Sequence, residues 1–171
     1  MDEKDLIKKA KNGDSYALEQ LYEVNFNSLY RFIRFKVNTN EDAEDICSES
    51  FIRAFSNIKK FREKSSFKTY VYTIAKNLII DYYKETNKTL PLNDDVVSDD
   101  NNLGKSKSVT KEIKEIFSKL DKKESEILEL RYLTNLSVKE TAIVLNLSES
   151  NVKVIAHRAI EKAKKFFMKN N

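Results

Sequence analysis

Residues 137–167 read SVKETAIVLNLSESNVKVIAHRAIEKAKKFF, and their punctuation decides the fold. Ser137 followed three residues later by Glu140 is a capping box, so a short helix carrying Thr141, Ala142 and Leu145 opens there. Asn146-Leu147-Ser148 then interrupts the period. Asparagine tolerates the left-handed backbone of a sharp interhelical turn, and Ser148 supplies a cap for the next helix. Beyond it Val152, Ala156, Ala159, Ile160, Ala163, Phe166 and Phe167 recur at helical spacing to about Lys169, while Lys153, His157, Arg158 and Lys164 fall elsewhere. A short capped helix, a turn and a long helix with one apolar stripe make a helix-turn-helix, the unit that places a helix N-terminus in a DNA major groove. Small helical bundles produce the same pattern, so it does not settle function alone.

The rest of the chain is punctuated as sparsely. Its 171 residues include two glycines, Gly13 and Gly104, and one proline, Pro91. Hairpin-rich β architectures and glycine-rich phosphate cradles are thereby excluded, which leaves an all-α chain. The net charge of +4 is unevenly spread. Residues 1–58 carry 8 basic and 11 acidic side chains, residues 59–85 carry 7 and 3, and residues 111–171 carry 13 and 9. Two basic zones are where a polyanion footprint belongs, although a solvated mixed-charge surface looks similar. There is no 18-residue apolar run, so a cytoplasmic protein without membrane insertion is expected. Cys47 is a single cysteine on an acidic helical stretch and reads as a packed, inert thiol. His157, with no second histidine, makes a poor metal site, and no cofactor is expected.

The organisation is two helical domains joined by a flexible linker. Residues 1–85 read as helices with short polar breaks: one ends at Asn12-Gly13, a second is capped by Asp14, a third runs from about Glu41 to Ile58, and a fourth from about Ser66 to Tyr83. Residues 86–110 hold the proline, one glycine and Asp94, Asp95, Asp99 and Asp100, without periodicity, and read as the linker. A metal-dependent nuclease built on those aspartates would lack a fixed frame. Residues 111–171 form the terminal module. On the fourth helix Phe67, Val71, Ile74, Ala75, Leu78 and Tyr82 share one arc, next to Lys68, Tyr72, Lys76 and Tyr83. Lysines interleaved with aromatics suit single-stranded nucleic acid, with cations for the backbone and rings for stacking. Solubilising lysines over a tyrosine-covered core are the plainer reading of the same pattern.

Three blocks in order carry a family resemblance. Residues 42–55, DAEDICSESFIRAF, resemble the pattern D-A-E-D-[LI]-x-Q-E-x-F-[LI]-R-A-[WF] of the extracytoplasmic-function (ECF) group of the sigma-70 family, the bacterial RNA polymerase specificity subunits. Residues 65–77, SSFKTYVYTIAKN, are similar to the same group's S-[SA]-[FL]-x-T-W-[LI]-Y-x-I-A-[RK]-N. In the second half LDKKESEILELRY at 120–132, SVKETA at 137–142 and NVKVIAHRAI at 151–160 resemble its promoter-reading terminal domain.

The resemblance implies a sigma factor with no catalytic residues, which binds core RNA polymerase and directs promoter recognition and initiation. Residues 1–85 would be region 2, which docks on the polymerase and recognises and melts the downstream promoter element, and residues 111–171 would be region 4, which reads the upstream one. Asp42, Asp45, Ser48 and Glu49 would dock on the clamp helices of the polymerase's largest subunit, and the flap would be a second polymerase contact. Phe61, Lys64, Ser65, Ser66 and Phe67 match the loop that captures a flipped base, and Lys68 would be a further contact to the downstream element. Tyr70, Tyr72, Thr73, Lys76 and Asn77 match the helix that holds the melted downstream (−10) element. Ser150, Asn151, Lys153, Val154, His157 and Arg158 would read the upstream (−35) element as duplex. An anti-sigma protein is a further implied partner. Ser48 stands in place of Gln, Tyr70 of Trp, Thr73 of Arg, and Val154-Ile155 of Ser/Thr-Arg, which shifts the base-reading surface towards apolar contact with thymine methyls. The alternative is a stand-alone helix-turn-helix regulator, which leaves the acidic motif and the aromatic basic helix unexplained.

Overall fold

The computed structural model describes residues 2–86, 113 and 115–170. All but the first residue of the expected linker, and the four aspartates within it, lie outside the described residues. The N-terminal half comprises α1 (Glu3–Lys11), α2 (Ser15–Lys36), α3 (Asn40–Ser56) and α4 (Phe67–Thr86), with a single 3-10 turn at Ile58–Lys60. The C-terminal half comprises α5 (Lys122–Leu128), a π-helical turn at Glu129–Leu133, α6 (Val138–Leu145) and α7 (Glu149–Asn170). No described helix is long and apolar enough to cross a membrane.

Local chemistry sets most boundaries. The Ala17 amide donates to Asp14 Oδ1 (3.1 Å) and the Asp42 amide to Thr39 Oγ1 (3.1 Å), so α2 and α3 start on side-chain caps. Gly13 takes φ +86° at the α1–α2 corner, where a Cβ would be strained. Both anticipated boxes close reciprocally: Asp121 with Glu124, and Ser137 with Glu140. Asn146 adopts φ 53°, as the turn requires. The start of α4 is capped both locally and from a distance: the Thr69 amide donates to Ser66 Oγ (3.1 Å) and the Phe67 amide to Glu3 Oε1 (2.9 Å) on α1.

One large core joins the halves. Ile7, Leu21, Leu29, Ile33, Ala43, Phe51, Phe67, Val71, Tyr72 and Ala75 pack together, and Leu130, Leu136 and Val144 from the C-terminal half enter the same cluster. The helix-turn-helix keeps only a small core of its own, made of Ile127, Ala142, Val152 and Ala156 with partly buried Val138, Leu145, Leu147 and Ile155 around it. Helix α4 is therefore packed on two sides, against α2 and α3 on one and α6 on the other. That corrects its expected apolar arc. Tyr72 and Ile79 are buried while Ile74, Leu78 and Tyr82 are only partly so, because a second packing partner widens the buried face.

The left-handed turn gives a stability test. Replacing Asn146 by Ala should cost about 1 kcal/mol, since alanine resists positive φ, while Asn146→Gly should be neutral or slightly stabilising. Urea denaturation of the intact chain checks both.

Candidate nucleic-acid interface

The lysine-bearing side of α4 faces the C-terminal half. Ser66 Oγ and Thr69 Oγ1 donate to Glu140 Oε1 at 2.7 and 3.1 Å. Lys68 Nζ donates to the Thr134 carbonyl (2.5 Å) and Lys76 Nζ to the Val144 carbonyl (3.4 Å). Asn77 and Lys64 are exposed, and Ser65 and Thr73 are half-buried, with the Thr73 hydroxyl donating back to the Thr69 carbonyl (2.8 Å). Tyr70 is half-buried with its ring 4.7 Å from that of Phe61.

Three of the expected base-contacting rings are not on that surface. Phe67 and Tyr72 are fully buried, and Phe61 is 6% exposed. Phe61 and Phe67 form an edge-to-face pair, with Phe55 stacked on Phe67 at 5.7 Å, so they build the floor beneath the 61–67 loop. The Tyr72 ring lies 5.2 Å from Phe32, and burial pushes its phenol up to about 12. The sequence arc misplaced Tyr72 because it counted one packing partner where α4 has two.

The acidic helix presents a separate face. Asp45 and Ser48 are exposed, and Glu49 pairs with Arg53 one turn on (2.6 Å). Asp42 is half-buried, and its carboxylate accepts the Tyr82 hydroxyl at 2.7 Å, which ties α3 to α4. Cys47 is buried, and that burial raises its thiol to about 12, in keeping with an inert core group.

On α7, Ser150, Asn151, Lys153, Val154, His157 and Arg158 are all exposed along one side, opposite buried Val152, Ala156 and Ala159. The Asn151 amide donates to Ser148 Oγ (3.2 Å), which fixes the helix start on the expected cap. Val154, 58% exposed, is an apolar side chain held in water among polar neighbours. Among the described residues no cluster of metal-ligating side chains occurs.

Comparison with known proteins identifies the family. Residues 21–89 match Sigma-70 region 2 and residues 116–165 match Sigma-70, region 4. The chain is 30% identical over 155 residues to the ECF RNA polymerase sigma factor SigM of Bacillus subtilis (strain 168), covering 88% of this chain and 94% of that protein. The chain belongs to the ECF group of the sigma-70 family. It is a sigma factor, which binds core RNA polymerase and directs promoter recognition and initiation, and not an enzyme. It is also 30% identical to the ECF factor BldN of Streptomyces coelicolor over 164 residues, 91% of this chain, and spans 62% of that protein's length. Among solved structures, CnrH in complex with the cytosolic domain of CnrY shares the fold with TM-score 0.76 at 20% identity, over 99% of both chains. RpoE of Bartonella quintana, in complex with the anti-sigma factor NepR, shares it with TM-score 0.69 at 14% identity, over 88% of this sigma factor and 96% of that one.

Sequence reasoning missed the residues that meet α4 from across the molecule. Glu140 is legible as a capping residue, since its Oε2 accepts the Ser137 amide at 2.8 Å, but its second carboxylate oxygen serves α4. Glu129, almost fully buried, pairs with Lys36 at the end of α2. Burial raises the Glu129 carboxyl while the Lys36 ammonium opposes that rise. Burial also lowers the Lys68 ammonium, against the pull of Glu140. For Glu140 itself burial works upward, but bonds from the Ser137 amide and from the Ser66, Ser137 and Thr69 hydroxyls outweigh it and hold the carboxyl at about 2.

That depressed value has a definite sign. The stabilising contribution of Glu140 is fully present above the ordinary carboxylate range, about 4.3, and is lost as pH falls through the folded value. Glu140→Gln should therefore lower stability near neutrality and flatten its decline between about pH 5 and 2.5, measured by urea titration at several pH values.

Proposed function

We propose that this sigma factor divides its work among three faces. The observation that carries this reading is their chemical separation: an exposed acidic stripe on α3, a lysine and hydroxyl row on α4, and a polar, partly apolar row on α7. Residues 1–85 act as region 2, residues 86–110 as linker and residues 111–171 as region 4. Asp45, Ser48 and Glu49 dock on basic surface of the polymerase clamp helices, where opposite charge gives orientation and rate. Asp42 acts as a positioning residue through Tyr82. A second contact lies between region 4 and the polymerase flap.

The α4 row takes the downstream element as a single strand. Lys64, Ser65, Ser66, Lys68 and Lys76 supply cations and hydroxyls for the backbone, Thr73 sits on the same helix, and Tyr70 and Asn77 face the bases. Phe61, Phe67 and Tyr72 hold that surface in shape from below. Extruding a base costs a few kcal/mol, which a preformed surface offsets. The exposed side of α7 reads the upstream element in the major groove, with Lys153 and Arg158 for phosphates and Val154 for a thymine methyl. An anti-sigma protein is a proposed partner and the cytoplasm the proposed compartment.

Run-off transcription with core polymerase and a promoter library tests the whole reading. Promoter-specific transcripts are expected only when the chain is present. Asp45→Lys or Glu49→Lys should weaken core binding by about tenfold or more, measured by fluorescence anisotropy. Unchanged affinity in both variants refutes the docking face. Lys76→Ala combined with Asn77→Ala should reduce permanganate-reactive open complexes while core binding is kept, and equal loss of both refutes the melting role.

A further inference from the structure

The seam between the two halves encloses a cavity of about 370 Å³, within the ~300–1,000 Å³ range of small-molecule sites. Its buried wall is apolar. Phe32 comes from α2, Ile79 from α4, Leu130 from the π-helical turn and Val144 from α6, and half-buried Leu145 and Tyr83 stand beside them. The Tyr83 hydroxyl donates to the Lys36 carbonyl, so the ring is what Tyr83 has left to offer a ligand.

The rest of the lining is charged, and the charges do not balance. Lys36, Lys76, Lys84 and Lys122 stand against Glu126. Lys36 is answered by buried Glu129, but the other three ammonium groups have no strong partner. Lys76 reaches the Val144 carbonyl at 3.4 Å, Lys84 reaches Asp81 at 3.9 Å with both side chains more than half exposed, and Lys122 Nζ has no partner among the described residues. Exposed pairs such as Lys84–Asp81 contribute little. Lys84 and Lys122 lie on the exposed side of the cavity, at its mouth.

This distribution selects the kind of occupant. A peptide segment would carry amide N–H groups into a lining whose charged side chains, Glu126 apart, are themselves donors. A hydrocarbon chain leaves nothing unpaired against the buried wall, and an anionic head accepts from the lysines at the mouth. We propose that the cavity binds a single-chain fatty carboxylate, with its hydrocarbon against Phe32, Ile79, Leu130 and Val144 and its head at Lys84 and Lys122. Both halves contribute to the wall, so the ligand bridges them and stabilises the folded chain. Neither lysine at the head position carries a promoter or polymerase role above, so the site stands or falls apart from those assignments.

Calorimetric titration of the full-length chain with decanoate, kept below its micelle concentration, tests the site. One saturable site is expected, with octanoate about tenfold or more weaker, since each buried methylene contributes about fourfold. Decylammonium has the same chain with the opposite charge and should bind about tenfold or more weaker than decanoate. Ile80, 38% exposed, lines the mouth and has room for a larger side chain, so Ile80→Trp should block entry and abolish the titration. Lys84→Glu combined with Lys122→Glu, both exposed helix positions, should weaken decanoate about tenfold or more and strengthen decylammonium. Loss of fold cannot produce that reversal. The urea midpoint of the wild-type chain should also rise with decanoate concentration, and that of the charge-reversed chain should not.

Absence of saturable binding, equal affinity for decanoate and decylammonium, or undiminished binding by Ile80→Trp overturns the proposal. Binding that emerges only when residues 90–100, LPLNDDVVSDD, are deleted overturns it as well, because that acidic and apolar stretch is then the occupant.

Discussion

Helix α4 must satisfy packing demands from both halves at once. Val71 and Ala75 are buried with α2 and α3, while Tyr72, Ile79 and the stems of Lys68 and Lys76 meet the C-terminal half. A helix buried on more than one stripe spends little of its surface on solvent, and what remains is short: Asn77, Ile80, Asp81 and the residues of its last turn. The large core depends on this double use. Leu130, Leu136 and Val144 have no comparable burial available within the four-residue core of the helix-turn-helix. A terminal module with so small a core gains by lending its apolar residues to a larger neighbour.

The π-helical turn makes that loan possible. The backbone of Glu129–Leu133 widens by one residue per turn, and the Leu136 amide then returns to the Leu130 carbonyl (2.9 Å), with Asn135 at φ 56°. Arg131 reinforces the bend by donating to the Leu136 carbonyl (2.6 Å). Leu130 is thereby turned into the shared core and Glu129 towards Lys36, while the Thr134 carbonyl is left pointing at Lys68. A regular α-helix through the same residues rotates each side chain by about 100° per position and does not bring these three groups to one side.

How much of this was legible in the sequence depends on the range of the forces involved. Caps and turns are local, so Asp14, Asp121, Ser137, Asn146 and Ser148 can be read from a few neighbours, and each has its expected backbone or hydrogen-bond role. The exposed row of α7 was legible too, because one apolar stripe fixes the opposite face. The far-side partners were not. Glu3 capping α4, Glu140 reaching Ser66, and Lys36 meeting Glu129 join residues that are 64, 74 and 93 positions apart, and nothing local marks one member for the other. Tyr72 shows the same limit in a single residue. Its place in a lysine–tyrosine row is plain from the spacing, and its burial comes from an element that the row does not mention.

The seam joins α4 to the C-terminal half through two kinds of acceptor, a carboxylate and backbone carbonyls. Lys68 and Lys76 donate there to backbone carbonyls, which carry partial charge, and Lys68 is desolvated enough that its ammonium is less favourable than in water. A phosphodiester would offer the same ammonium donors a full negative charge, an ion pair in place of a charge–dipole contact. Binding a strand also releases counterions from the nucleic acid, a gain the carbonyl contacts do not provide. Lys68 and Lys76 thus meet only partial charge across the seam, whereas Ser66 and Thr69 already meet the full charge of the Glu140 carboxylate.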